Sequence, residues 1–173
     1  MIKIKKADLT SYPYLAEEGP LCDHELLTDG LSSLLAVTST TASAVCPDIV
    51  PLLNSMVLNV YHMNGSIRGK NAITETEVED IYLKYMEYKA KIAGAVTGFV
   101  LPGGSLLSSW LHVARCDAKK VVRNMHKIKR AGFEVGETLF DYMNIASNLL
   151  FVLAVYTNKV QGITETEFVS KSY

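Results

Sequence analysis

Three cations, Arg115, Lys119 and Arg123, recur at i, i+4 and i+8 in a stretch that reads as helix, which sets them along one face. Clustered positive charge suits an oligophosphate, and Lys120, Lys127, Lys129 and Arg130 extend it. Upstream, Pro102-Gly103-Gly104 interrupts an apolar run that begins at Phe99, and Ser105 is placed to cap the helix that follows. A glycine turn feeding a helix start offers amides and a positive dipole end to an anion. Each feature has a plain alternative: a common turn, a solvated basic face, a core aromatic at Phe99. Arg115 stands among apolar neighbours, and a buried arginine needs a partner, structural or catalytic.

Other reactive residues suggest less. His24, His62, His112 and His126 make no metal-ligand spacing, so no metal site is assigned. His112 reads as a hydrogen-bonded structural histidine in preference to a ligand or proton donor. Cys22, Cys46 and Cys116 are scattered, odd in number and outside any C-x-x-C pattern. Glu75, Glu77 and Glu79 open a helix and need no catalytic role. No Ser/His/Asp signature, Walker loop or dinucleotide fingerprint occurs.

The elements that must position these residues read as helices. Residues 1–20 form an irregular arm in which Ile2 and Ile4 alternate with Lys3 and Lys5, compatible with a short strand. A first helix is predicted over about 22–44, with Leu26, Leu27, Leu31, Leu34, Leu35 and Val37 as its apolar stripe and a weak Thr38–Thr41 end. A second has Pro47 in its first turn and stops near Asn64-Gly65. Thr74-Glu75-Thr76-Glu77 is a capping box for the third. The fourth, about 105–130, buries Leu107, Trp110, Leu111, Ala114, Ala118, Val121 and Val122. The fifth, about 137–159, contains the all-apolar Leu149–Tyr156 and belongs in the middle of a bundle. Ile-Thr-Glu-Thr-Glu recurs at 163–167 and reads as a short terminal element. The predicted fold is all-α, a five-helix bundle over 21–160 with a C-terminal tail at 161–173.

These blocks, in this order, resemble the PduO-type ATP:cob(I)alamin adenosyltransferases. Phe99-Val100-Leu101-Pro102-Gly103-Gly104 matches a family block of the form F-[IV]-L-P-G-G, and Leu111-His112-Val113-Ala114-Arg115 matches L-H-x-A-R. Met143–Ala154 echoes L-N-R-L-S-D-x-L-F-x-L-A, and Asp29–Ala36 echoes D-E-L-N-S-x-L-G. The resemblance implies transfer of the 5′-deoxyadenosyl group of ATP to the cobalt of a reduced corrinoid, giving adenosylcobalamin and triphosphate. It implies a homotrimer binding cobalamin, ATP and Mg²⁺ near its interfaces, with an adenosylcobalamin-dependent enzyme as possible recipient. It assigns Phe99 to the corrin, where an apolar ring helps displace the lower axial ligand. Arg115 and Asp29 match a pair that stabilises the site. Lys119, Lys120 and Arg123 match cations against the ATP phosphates, and Asn144 matches an ATP-contacting asparagine.

The chain departs from that pattern on the nucleotide side. The family's T-x-T-G-D-x-G-x-T loop has no counterpart in residues 1–30, and its R-R-x-E-R cluster reads Lys119-Lys120-Val121-Val122-Arg123. The later block carries Ile145 and Asn148 in place of arginine and aspartate. The alternative is a non-catalytic relative that binds a corrinoid or tetrapyrrole and has lost the ATP loop. Composition sets the remaining bounds: 173 residues fit one domain, and a 49% hydrophobic content suits a helical core or an oligomer. A net charge of -1 gives no general attraction to nucleic acid or to a membrane. With no signal-peptide pattern and no apolar run as long as a membrane span, a soluble cytoplasmic protein with reduced thiols is expected.

Overall fold

Local signals start nearly every helix of the computed structural model, which describes residues 4–172. Ile2 and Lys3 lie outside those residues; Ile4 and Lys5 are irregular, and Lys6–Leu9 makes a single 3-10 turn. Helix α1 spans Pro20–Val45, with proline in its first turn. Its weak threonine run does not fray. The hydroxyls of Thr38, Thr40 and Thr41 donate to the carbonyls of Leu34, Ala36 and Val37, at 2.8, 3.1 and 2.9 Å. The expected first turn at Pro47 is instead a separate 3-10 turn, Pro47–Ile49, and α2 runs Val50–Ser66 with Pro51 in its own first turn.

Helix α3, Glu75–Lys91, carries the capping box in full: Glu77 accepts from the Thr74 amide at 2.7 Å. Helix α4, Leu106–Arg130, is capped by Ser105, whose Oγ accepts from the Ser108 amide at 3.1 Å. Beyond its end Gly132 takes φ +90°, a conformation open to glycine. Helix α5 spans Glu137–Val160.

The helices pack in the order α2, α1, α4, α5, α3, each against the next. Leu107, Leu111, Ala114, Ala118, Val121, Met125 and Ile128 alternate steps of four and three, giving α4 one continuous buried stripe. Ala114 and Ala118 let its backbone lie close to its neighbours. Leu149, Leu150, Leu153 and Ala154 of α5 are fully buried, so the all-apolar run is bundle core, as expected. At 24 residues α5 is long and apolar enough to cross a membrane, contrary to the reading of the sequence, yet 67% of its apolar window is buried inside the bundle. Trp110 and Val122 are only half-buried, and Leu26 and Val37 stand in solvent. All four flank a stripe that is narrower than their hydrophobicity suggested.

Candidate functional site

Phe99 lies on the irregular stretch between α3 and α4, its ring 77% exposed. The second Ile-Thr-Glu-Thr-Glu copy holds that stretch from outside. The Leu101 amide donates to the Thr166 carbonyl and the Phe168 amide to the Phe99 carbonyl, each at 2.8 Å, around a bridge between Val100 and Glu167. The expected terminal element is therefore an extended strap paired antiparallel with the Phe99 segment. The Pro102–Gly104 turn that follows delivers the chain into the Ser105 cap.

The cations divide between two sides of α4. Each four-residue step advances about 40° round a helix of 3.6 residues per turn, so a row at i, i+4 and i+8 drifts off its face. Arg115 and Lys119 line a cleft of about 740 Å³ with Lys89, Asn148 and Phe151, walled by the end of α3 and by Ala93–Val96 of the loop leading to Phe99. Lys120, Arg123 and Lys127 instead line a depression of about 410 Å³ against Asp23, Leu26 and Leu27 of α1. Lys120 is paired with Asp117 at 2.6 Å, whereas Lys119 and Arg123 have no carboxylate partner among the described residues. Lys127, Lys129 and Arg130 occupy the last turn of α4, where they complement the helix dipole, and Lys129 pairs with Glu137 at 2.8 Å.

The other expected site residues are placed apart. Arg115 has a buried Nε without a hydrogen-bond partner, and its guanidinium carbon lies 5.9 Å from the centre of the Phe151 ring. Asp29 is exposed on α1 and makes no ion pair with Arg115 inside the chain. Asn144 is exposed on α5, one turn from Asn148.

His112 is not the hydrogen-bonded histidine expected: it is 4% exposed, against Phe151, and neither ring nitrogen has a partner. Burial, with Arg115 adding to it, pushes its pKa down to about 4, so the ring is neutral at pH 7.

Two further polar centres escaped the reading of the sequence. Arg68 is clasped by Glu17 of the N-terminal arm and, at 2.7 Å, by the buried Glu25, with Tyr14 4.6 Å beneath its guanidinium. That arginine, in the connection after α2, is neutralised by carboxylates and is not a free cation. Asn158, 1% exposed near the end of α5, grips the turn after Phe99. Neither centre has a local signature, because Glu25 lies 43 residues from Arg68, and Ser105 and Gly103 lie 53 and 55 residues from Asn158.

Residues 28–157 match the model of the cobalamin adenosyltransferase family. The chain belongs to that family. It is 31% identical over 96 residues to a corrinoid adenosyltransferase of Bacillus subtilis (strain 168), covering 56% of this chain and 49% of that protein. Against a corrinoid adenosyltransferase of Mycobacterium leprae (strain TN) it is 34% identical over 101 residues, 56% of this chain and 52% of the other. The chain thus matches about half the length of these curated relatives. Its fold is that of a solved PduO-type ATP:corrinoid adenosyltransferase variant from Lactobacillus reuteri complexed with cobalamin and ATP. The TM-score is 0.77, with 19% identity over 87% of each chain. Within this family the Phe99–Arg115 block and the two basic faces fall inside the matched stretch, while the strap and Asn158 fall outside it.

Proposed function

We propose that this protein transfers the 5′-deoxyadenosyl group of ATP to the cobalt of a reduced corrinoid. The observation that carries the reading is the pairing of an exposed Phe99 ring with a cleft whose cations, Arg115 and Lys119, are not neutralised within the chain. In the reaction the reduced cobalt attacks C5′ of ATP, the C5′–O bond breaks, and triphosphate leaves with the electron pair. Lys119 supplies positive charge to the cleft, where the leaving group gains negative charge, and Arg123, on the α1 side of α4, adds charge at longer range. Phe99 offers cobalt no ligand atom, so a corrinoid pressed on its ring loses its lower axial donor and becomes easier to reduce.

Mg²⁺ fits this site as a companion of the phosphates. Among the described residues no three His, Cys, Asp or Glu side chains gather to hold a metal, and Mg²⁺ commonly binds through substrate phosphates. When bound, Mg²⁺ would offset triphosphate charge, while Lys119 and Asn144 orient the nucleotide and Arg123 adds charge from the α1 side.

The unpaired Arg115 and the exposed Asp29 support assembly as a homotrimer in which Asp29 of one copy meets Arg115 of the next. Exposed Leu26, Val37, Leu106 and Val113 supply apolar area for that contact. The free thiols of Cys22, Cys46 and Cys116 suit a reducing cytoplasm, and an enzyme using adenosylcobalamin is the natural recipient of the product.

Anaerobic mixing of the protein with ATP, Mg²⁺ and chemically reduced cobalamin is expected to give the light-sensitive spectrum of adenosylcobalamin. Absence of product while the reductant remains active would overturn transfer. Corrinoid binding without product, indifferent to ATP, would identify a non-catalytic binding relative.

A further inference from the structure

We infer that Asn158 is the positioning residue for Phe99, acting through a clamp that joins the end of α5, the glycine turn and the C-terminal strap at one carboxamide. Its Oδ1 accepts from the Ser105 amide at 2.9 Å, and its Nδ2 donates to the Gly103 carbonyl at 3.0 Å and to Glu165 Oε1 at 2.9 Å. Both N–H groups are thus in use, so no other side chain of this size fills the role: aspartate has no donor, and leucine has neither donor nor acceptor. The turn is pressed onto the amide plane. A Cβ at Gly104 would lie 2.3 Å from Asn158 Nδ2, and Gly104 takes φ +97°, so glycine is required there twice over.

The clamp fixes Phe99 from both directions along the chain. On the C-terminal side, Gly103 and Ser105 are held by Asn158, four to six residues beyond the ring. On the other side, the strap residue Glu165 is held by the same amide, and the strap's Thr166 and Phe168 pair with Leu101 and Phe99 themselves. The Asn158 carbonyl also accepts from the Ile163 amide at 2.9 Å, which turns the chain out of α5 and back along the Phe99 segment. An aromatic ring left 77% exposed has little packing of its own, so its backbone tethers decide where it points. Ser105 caps α4 through the same turn, which couples the position of Phe99 to that of Arg115 two and a half turns along the helix.

The kinetic part of this inference rests on the proposed transfer reaction; the structural part does not. The test is hydrogen–deuterium exchange of the full-length chain, read at the Leu101, Ser105 and Phe168 amides, for wild type, Asn158→Asp and Glu165→Ala. Asn158→Asp places a carboxylate against the Gly103 carbonyl and Glu165, and exchange at all three amides is expected to rise about a hundredfold. Glu165→Ala alters only the tail, leaves the fold intact, and is expected to raise exchange at Leu101 and Phe168 about tenfold with Ser105 unchanged. Core amides of α1 and α5 should not move in either variant. If Asn158→Asp does not fold, Glu165→Ala alone decides: unchanged Leu101 and Phe168 exchange overturns the clamp.

In the transfer assay, Asn158→Asp is expected to raise the KM for corrinoid about tenfold with the KM for ATP unchanged, and to lose the four-coordinate cobalt(II) spectrum. Equal loss toward both substrates, or a retained four-coordinate spectrum with the amides loosened, overturns positioning. A wild type without transfer activity sinks the reaction, and the exchange pattern still decides the clamp.

Discussion

At its N-terminus α4 is held by a serine cap, a glycine turn pressed on a buried amide, and an antiparallel strap. Toward its C-terminus the same helix carries lysines and arginines, from Lys119 to Arg130, that stand in solvent. On the proposed function, the difference follows from what each end has to do. An apolar ring that must exclude a ligand from cobalt acts by position, so its backbone has to be fixed. Cations that balance a triphosphate act mainly through charge, which falls off gradually with distance and tolerates lysine in place of arginine. The family pattern is kept at the first end and worn at the second, which is the order in which geometry matters.

Removing Arg115 should break this comparison most severely, since it stands between the two ends. Arg115→Ala is expected to lower kcat/KM for adenosyl transfer about a thousandfold, as loss of a charged donor at a reacting centre does. Arg115→Lys should recover little of it, because the guanidinium fork is lost. Steady-state kinetics without oxygen check both, and a loss under tenfold in Arg115→Ala would assign this residue to packing. If Asp29 of a neighbouring copy is its partner, Asp29→Asn should also weaken the trimer, read by light scattering.

Phe99→Ala tests the rigid end directly. Because the ring makes few contacts in the chain, stability should be almost unaffected, while kcat falls about a hundredfold and the four-coordinate cobalt(II) spectrum disappears. A variant that keeps the spectrum would detach the ring from the corrin.

Much of the bundle was legible in the residues themselves. Thr74–Glu77 and Ser105 are helix starts whose partners lie within three residues, and the four-and-three spacing from Leu107 to Ile128 states which face of α4 is buried. The expectation of one face for Arg115, Lys119 and Arg123 fails, because a step of eight residues turns the row by about 80°. What could not be read is whatever depends on distant chain. The pentapeptide Ile-Thr-Glu-Thr-Glu starts a helix at 73–77, where helix-forming residues follow, and pairs as extended chain at 163–167, where Phe168-Val169-Ser170 follows. Asn158, Arg68 and the orphaned ring of His112 owe their roles to partners, or to missing partners, that no local pattern encodes.

His112 sharpens the comparison through pH. Its folded pKa of about 4 lies below the ordinary 6.5, so between those values the unfolded state binds more protons and stability rises with pH. The stability is therefore complete above pH 6.5 and is lost progressively as pH falls toward 4. The buried His24, whose pKa burial also lowers, adds in the same direction. Urea unfolding should show the protein less stable at pH 5 than at pH 7 by on the order of 2 kcal/mol. His112→Leu should remove part of that slope. An unchanged slope in the variant would place the pH dependence in His24 and the carboxylates.

The smallest effects belong to the basic end, and they run in a direction that distinguishes charge from geometry. Lys119→Arg restores a planar fork in the cleft without changing the charge, and Arg123→Lys removes one from the α1 side. If these cations act as a diffuse counter-charge, each change should alter the KM for ATP by no more than about threefold, and the KM should rise with ionic strength. If the lost arginines of the family cluster carried bidentate contacts, Lys119→Arg should instead lower the KM for ATP about tenfold. Isothermal titration of ATP at two salt concentrations separates these outcomes. The first result would mean that the basic end binds triphosphate by charge alone, which would explain how this chain tolerates valine at Val122 and an arm without a phosphate loop.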